Sequence, residues 1–380
     1  MNGTNAIMSD RRYWLGFNKV RGIGPAKVRA LLDHFGDLEA AWRGSQSDLA
    51  EAGLDKRALE SLEAARTGID LDTLVEDVER AGFQTLCWDD AGYPRRLREI
   101  DNPPPLLFVR GELTTADDWA VAIVGTRKAS TYGKEVAHEL ATSLAAAGVT
   151  VVSGFARGID ATAHLAALEA GGRTLAVLGS GLDKLYPAEH AALAERLVGQ
   201  GALISDYPLG TPPEATNFPP RNRIISGLTL GTIVVEAAAE SGALITTEFA
   251  MEQGREVFAV PGNIFNRNSQ GPNKLIQLGA KMVTSAEDVL EELNLKMASH
   301  QAEARAQLSL FDGADETEKK LLAHLSAEPL HADELSVLTS LPIATISSAL
   351  AMMELKGMAR QVGGMTYVVA RERRVDYKVE

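Results

Sequence analysis

The chain has 380 residues, 45% of them hydrophobic and 23% charged, with a formal net charge of −13; that is room for about two or three globular domains of ordinary composition. The acidity excludes a general basic coat for DNA but leaves room for a local cationic groove, because potentials are set by nearby charges and decay over about 8 Å at physiological salt. A single cysteine, Cys87, excludes an intramolecular disulfide framework and a cysteine-based zinc cluster.

Residues 9–85 read as all-helical. Arg11–Val20, Ala26–Phe35, Leu38–Arg43, Lys56–Ala65 and Leu71–Ala81 carry apolar residues at helical spacing, punctuated by glycines. A proline-rich connector, Tyr93-Pro94 through Pro103–Pro105, leads to a strand at Leu106–Arg110. From about residue 119 the period changes. Strands are expected at 120–125, 149–153, 174–179, 202–206, 232–236, 256–260 and 281–284, with helices at Lys134–Ala147, Ala161–Ala170, Glu189–Val198 and Ala243–Gln253. This alternation predicts right-handed crossovers and a doubly wound, mostly parallel α/β sheet covered on both faces, spanning 86–296. Residues 297–314 read as a linker. Over 315–370, helices at Glu316–Leu325, Ala332–Leu338 and Ile343–Leu355 and a hairpin at Ala359–Val362 and Met365–Val369 outline a winged helix, with Leu335, Leu338, Ile346, Leu350 and Leu355 as its core. The longest apolar stretches fall far short of the roughly 18 residues of a membrane span. Met1–Asp10 lacks the basic patch and apolar core of a secretory signal. A cytoplasmic protein without membrane association is expected.

In the first module, Val20-Arg21-Gly22-Ile23-Gly24-Pro25-Ala26-Lys27 matches a helix-hairpin-helix turn of the SAM-like kind. Backbone amides at the start of the following helix would favour a phosphate. Arg11, Arg12, Lys19, Arg21, Lys27 and Arg29 make the region locally basic, so the turn is either a DNA contact or the frame of an interaction module.

The sheet loops carry the chemistry. Gly125-Thr126-Arg127-Lys128 is not the Gly-x-Gly-x-x-Gly dinucleotide fingerprint, and no Gly-x-x-x-x-Gly-Lys-Ser/Thr loop occurs. Arg127, with the Thr126 hydroxyl and the loop amides, reads as a phosphate contact. In Ser153-Gly154-Phe155-Ala156-Arg157-Gly158-Ile159-Asp160, the glycines permit close approach, Ser153 can bond a phosphate, and Asp160 is placed as a helix N-cap. His164 follows Asp160 on the same helix face, a conceivable but unsupported catalytic pair. Lys184 beside Tyr186 joins a charge to an aromatic, which suits single-stranded nucleic acid; Tyr186 beside Pro187 reads equally as turn packing. Phe218-Pro219-Pro220-Arg221-Asn222-Arg223 reads as a loop presenting two guanidinium forks behind a rigid proline pair, with Arg223 starting the apolar helix at Ile224-Ile225. Glu236, at a strand end, is expected to orient nearby arginines; a catalytic carboxylate is the alternative. Gly271-Pro272-Asn273-Lys274 reads as a loop whose Lys274 completes the groove. Several such loops, each with a positive charge, suit an anion with charges spread along it.

These residues resemble the DNA-processing protein A family (DprA, also called Smf). The resemblance rests on Tyr93-Pro94-x-x-Leu97, Gly125-Thr-Arg127, Ser153-Gly154 with Ala156-Arg-Gly-Ile-Asp160, and Gly181-Leu-Asp-x-x-Tyr-Pro187. It continues through Phe218-Pro-x-Arg-Asn-Arg-Ile-Ile225, Val234-Val-Glu-Ala237, Ser241-Gly-x-Leu-Ile-Thr246 and Gly254–Gly262. It covers about 93–290 in unbroken order, and the terminal modules fit the family's three-part members.

The resemblance implies a non-enzymatic, cofactor-free protein with an extended Rossmann-like core. It would bind and shield single-stranded DNA during natural transformation, load a RecA-type recombinase, and form a homodimer through that core. Double-stranded DNA would bind more weakly. Carried over, Arg127 is the leading phosphate contact, Lys184, Arg221 and Arg223 support it, and Gly154 and Gly158 shape the site; Arg157 and Asn222 join them. Thr126 stands where serine is common, and Phe155 where leucine is usual. Phe155 could pack on a base or on the core. The rival reading is a nucleotide hydrolase using Glu236, which would want a Pro-Gly-Gly-x-Gly-Thr motif absent here. The recognition helix 343–355 has only Lys356 and Arg360 near its end, which weakens duplex reading by the winged helix.

Overall fold

The structure, a computed structural model, describes residues 2–293, 316–325, 329–339, 341–355 and 359–369. It divides into two compact units, Met1–Ser299 and His300–Glu380. The first begins with six helices: α1 (Asn2–Lys19), α2 (Pro25–Phe35), α3 (Leu38–Arg43), α4 (Gln46–Glu51), α5 (Lys56–Gly68) and α6 (Leu71–Arg80). Their apolar faces bury Trp14, Phe17, Leu31, Leu38, Leu49 and Leu62, each worth about 1.5–3 kcal/mol for an aliphatic or Phe side chain removed from water. Asp37, Ser45, Asp55 and Asp70 cap four of these helices with side-chain oxygens that accept backbone N–H groups, worth about 1 kcal/mol per cap. Up to Cys87, two elements escaped sequence reasoning: α4, whose short polar sequence hides its single buried Leu49, and a strand, β1 (Gln84–Cys87).

The sheet continues in chain order through α7 (Arg95–Arg98), β2 (Leu106–Gly111), β3 (Ala120–Val124), α8 (Thr131–Ala146), β4 (Thr150–Ser153), α9 (Ile159–Glu169) and β5 (Thr174–Val177). Then come α10 (Ala191–Gln200), β6 (Gly201–Ser205), α11 (Phe218–Gly227), β7 (Gly231–Val234), α12 (Gly242–Glu252), β8 (Glu256–Ala259), α13 (Gln270–Gln277), β9 (Lys281–Met282) and α14 (Ala286–Glu292). The strand order is β1-β2-β6-β5-β4-β3-β7-β8-β9. Pairing is parallel from β6 to β9, and β2 joins β1 and β6 antiparallel. Side chains alternate faces along each strand. In β3, Val121 and Ile123 pack with Leu140 and Leu144 of α8 and Ala163 and Ala166 of α9. Ala120, Ala122 and Val124 join the opposite core with Ile224 and Ile225 of α11 and Leu228 just past its end. The expected doubly wound sheet is therefore present, and every strand expected from sequence has its counterpart.

Two expected loops are helices instead. Pro219 and Pro220 occupy the first positions of α11, where a missing N–H costs nothing, so Arg221 and Arg223 lie inside a helix. Lys274 likewise sits on α13. Asp160 is not the cap of α9; Gly158 holds that position.

The second unit has helices Glu316–Leu322, Ala332–Thr339 and Ile343–Leu355. Strand Thr366–Val369 lies between Leu330–His331 and Ala359–Gly363 in a three-stranded antiparallel sheet. Leu335, Ile346 and Leu350 form its core with Leu321 and Met353. Leu338, expected there, is exposed: Ala332 and Leu335 use up the buried stripe of an eight-residue helix. The side chain of Leu355, Lys356 and the expected linker 297–314 lie outside the described residues.

Candidate nucleic-acid interface

Strand β3 is the switch point of the sheet: β4 lies on one side of it and β7 on the other. Open α/β sheets bind ligands in the crevice beyond such strand ends. The loop after β3 is tied down on both flanks. Thr126 donates its N–H to the Glu236 carbonyl at 2.7 Å, and its own carbonyl accepts the Ile159 N–H at 3.3 Å. Arg127 is thereby held at an exposed tip. Gly158 makes this possible. Its φ of +79° favours glycine, and a Cβ there would stand 2.4 Å from the Thr126 carbonyl oxygen and 2.8 Å from Arg127 C.

Beyond the tip opens a cleft of about 560 Å³, lined by Gly125, Thr126, Arg127, Arg221, Asn222 and Phe218, with Ser241 and Thr246 on its far wall. Phe218 and Tyr186, ring centroids 5.9 Å apart, form an aromatic ridge. The Arg127 guanidinium sits 5.2 Å and that of Arg221 5.7 Å from the Phe218 ring; Arg157 sits 5.9 Å from the Tyr186 ring. Past the ridge, a small lobe is bounded by Arg127, Gly154, Arg157 and Tyr186. Cations interleaved with ring faces suit a strand whose bases stack while its phosphates are neutralised.

Arg221 forms the floor. It is 4% exposed, and its Nη1 donates to the carbonyls of Gly154, at 2.9 Å, and Val177. Its Nε donates to Asn222 Oδ1 at 3.3 Å, and Asn222 Nδ2 donates to the Gly242 carbonyl at 3.2 Å. Burial lowers the Arg221 pKa to about 10 against the opposing pull of Asp160. Burial raises Asp160 to about 6, and Arg221 holds that rise back. The two charged groups flank Gly154, where a Cβ would lie 2.8 Å from Asp160 Oδ2 and 2.9 Å from Arg221 Nη2.

The structure places the remaining expected residues elsewhere. Ser153 is fully buried and donates to the Ile123 carbonyl at 2.6 Å, so it faces no ligand. Phe155 is fully buried against His190 and His164, which settles the choice between base and core in favour of the core. Arg157 is at the small lobe but pairs with Glu189 at 2.5 Å. Lys184 does not line the cleft and stands 3.8 Å from Asp183. Lys274, on α13, does not line it either. Arg223 points away, with Nη2 on Asp206 at 2.7 Å and Nη1 on the Asn102 carbonyl at 2.6 Å. There it lines a cavity of about 180 Å³ shared with Trp14, Phe17 and Gly24 of the helical module. We therefore expect Arg223→Ala to lower the melting temperature, by about 1–3 kcal/mol of stability for a lost charged hydrogen bond. Single-strand affinity, measured by anisotropy, should stay within about twofold of wild type, because Arg223 does not reach the cleft.

Glu236 orients no arginine. Its buried carboxylate accepts from the backbone N–H of Ser130 at 2.9 Å and from the Ser130 hydroxyl at 2.6 Å. The Asp160–His164 pairing is absent as well. Thr174 donates its hydroxyl to the Val151 carbonyl, so His164 Nδ1 donates to Thr174 Oγ1 at 2.6 Å. Burial pushes the His164 pKa down to about 3. In the helical module the basic residues are largely engaged: Arg11 with Asp90, Arg12 with Asp72, Lys27 with Asp55 and the Gly22 carbonyl, and Arg29 on the Trp88 ring. Phe218 and the far wall at Ser241 and Thr246 were missed as site residues. The signal for Phe218 was its place directly ahead of the proline pair, one turn before Arg221.

Among the described residues, no group of three His, Cys, Asp or Glu side chains could hold a metal, and no single helix is long and apolar enough to cross a membrane. Fold and site together define a Rossmann-like protein whose carboxyl-end loops form a cationic, aromatic cleft, joined to a winged helix. Residues 84–294 match the family described as DNA recombination-mediator protein A, and residues 300–365 match the DprA winged helix domain. The chain belongs to the DprA/Smf family. Protein Smf of Synechocystis sp. is 34% identical over 94% of this chain and 98% of its own length. Protein Smf of Escherichia coli is 39% identical over 94% and 95%. The crystal structure of DNA processing protein A from Streptococcus pneumoniae covers 74% of this chain and 97% of its own, at 38% identity and a TM-score of 0.67. A structure of the Helicobacter pylori protein, described for its single-stranded DNA binding mode, covers 56% of this chain and 95% of its own, at 28% identity and a TM-score of 0.50.

Proposed function

We propose that this protein binds single-stranded DNA in the cleft over Phe218 and Tyr186, with Arg127 as the principal phosphate contact, Arg157 at the smaller lobe, and Gly125, Thr126 and Asn222 lining the path. The observation that carries this reading is the state of Arg127. Among the described residues it makes no ion pair, whereas Arg157, Lys184 and Arg223 each face a carboxylate within 4 Å. An exposed guanidinium held at a strand-end loop, above an aromatic ring, is poised for a phosphate. The H. pylori relative's single-stranded DNA binding supports the same ligand. A DNA-processing role in natural transformation follows from the family. Within it, the protein would shield incoming strands without catalysing a reaction and pass them to a RecA-type recombinase, as a cytoplasmic homodimer formed through the sheet domain. Duplex DNA would bind more weakly, because the ridge stacks bases that a duplex keeps paired. Binding to a fluorescein-labelled oligothymidylate, followed by anisotropy, should be at least about tenfold tighter than to a duplex of equal length and fall steeply as salt rises. Equal affinity for the two forms would sink the proposal.

A further inference from the structure

We infer that Glu236 is an internal anion that closes the Rossmann nucleotide seat, and that it determines which phosphates this protein accepts. In a doubly wound sheet, the phosphate of a mononucleotide or dinucleotide rests at the N-terminus of the helix after the first central strand. Here that helix is α8, 16 residues long, following β3. Glu236 reaches it from the end of β7, the strand across the switch point. Its Oε2 accepts a hydrogen bond from the Ser130 N–H at 2.9 Å, and its Oε1 accepts one from the Ser130 hydroxyl at 2.6 Å. The Ser130 oxygen in turn accepts the Gly133 N–H at 3.1 Å, so the negative charge is relayed into the first helical turn.

The carboxylate also fills the space. A Cβ on Gly133 would meet Glu236 Oε2 at 2.3 Å and Cδ at 2.4 Å, so the glycine accommodates the plug. Glu236 itself is 1% exposed. A free phosphate would have to displace a buried carboxylate that already holds the Ser130 N–H and hydroxyl at the mouth of the helix. Entry would place two anions within a few ångströms of each other, which is strongly unfavourable out of water. The phosphate-binding function of the fold is thus moved outward, from the helix end to the tip at Arg127. At that tip a polynucleotide can run across the ridge, while an isolated nucleotide finds no seat. This also accounts for Glu236 standing at a catalytic-looking position with no accessible oxygen.

The test reads the seat directly. The backbone amide resonances of Ser130–Gly133 are followed in the full-length chain during titration with inorganic phosphate or adenosine monophosphate, against chloride at matched ionic strength. All samples carry Arg127→Ala, so that the cleft contributes nothing. With Glu236 present these resonances should not move. With Glu236→Ala they should shift saturably, with an apparent Kd at least about tenfold lower than any response of the chain that keeps Glu236. Glu236→Ser, which keeps a small polar group, should behave like Glu236→Ala and serves if the alanine variant does not fold. A folded variant whose Ser130–Gly133 amides ignore phosphate would overturn the assignment, as would a chain with Glu236 intact that shows the same shifts. Neither result bears on single-strand binding at Arg127, which is read separately by anisotropy.

Discussion

Arg127→Ala should weaken single-stranded DNA binding by about 1.5–3 kcal/mol, roughly 10- to 150-fold, while leaving the melting temperature unchanged. The split follows from placement. The side chain is exposed, stacks on Phe218 at 5.2 Å, and carries no ion pair among the described residues, so folding draws little from it. A phosphate gains a bidentate partner that needs no prior ion pair to break. The logarithm of the binding constant against the logarithm of salt should also become shallower by about 0.7, the loss of one neutralised phosphate on a single strand. Arg157→Ala should cost less, because Arg157 must first leave Glu189. An Arg127→Ala protein with wild-type affinity and an unchanged salt slope would remove Arg127 from the interface.

The fold was legible because its signal is redundant. Buried parallel strands read as apolar runs, and each break into a glycine loop repeats the same message, so an error at one boundary does not disturb the topology. The site was only partly legible, for a reason visible in Arg221 and Arg223. Read as a loop behind two prolines, the pair faces one ligand. In a helix, two positions amount to about 200° of rotation, so one guanidinium becomes the cleft floor and the other turns to Asp206. The same residue type thus has four destinations here: exposed at Arg127, ion-paired at Arg157, buried under the cleft at Arg221, and at the helical module in Arg223. Which one applies depends on carboxylates far away in sequence, Glu189 and Asp206, that no local motif contains. Ser153 was misplaced, and Phe155 left open between base and core, for a related reason. Ser153 precedes Gly154 and Phe155 lies between Gly154 and Gly158, glycines that suggest ligand approach, yet these glycines serve the close packing of one protein loop on another.

Arg221→Ala should be the most damaging substitution in the sheet domain, lowering stability by about 3–5 kcal/mol in urea unfolding. Arg221 is buried, and its guanidinium clasps the carbonyls at the ends of β4 and β5, Gly154 and Val177. Removing it leaves those carbonyls without their donor and leaves Asp160 buried without the charge that holds its pKa down. Each is a desolvation cost with nothing to offset it. The Asp160 share can be isolated. Arg221→Ala/Asp160→Asn removes the stranded carboxylate along with its partner, so the double variant should be more stable than Arg221→Ala alone, by about 1–2 kcal/mol in a double-mutant cycle. Arg221→Lys should recover little, since a single ammonium on a flexible stem cannot reproduce a rigid fork that spans two carbonyls and Asn222. If Arg221→Ala unfolds at the wild-type urea midpoint, Arg221 is a ligand group and not the keystone of the cleft floor. Any loss of DNA binding measured for it would then have to be read as a lost contact, equal in kind to that of Arg127.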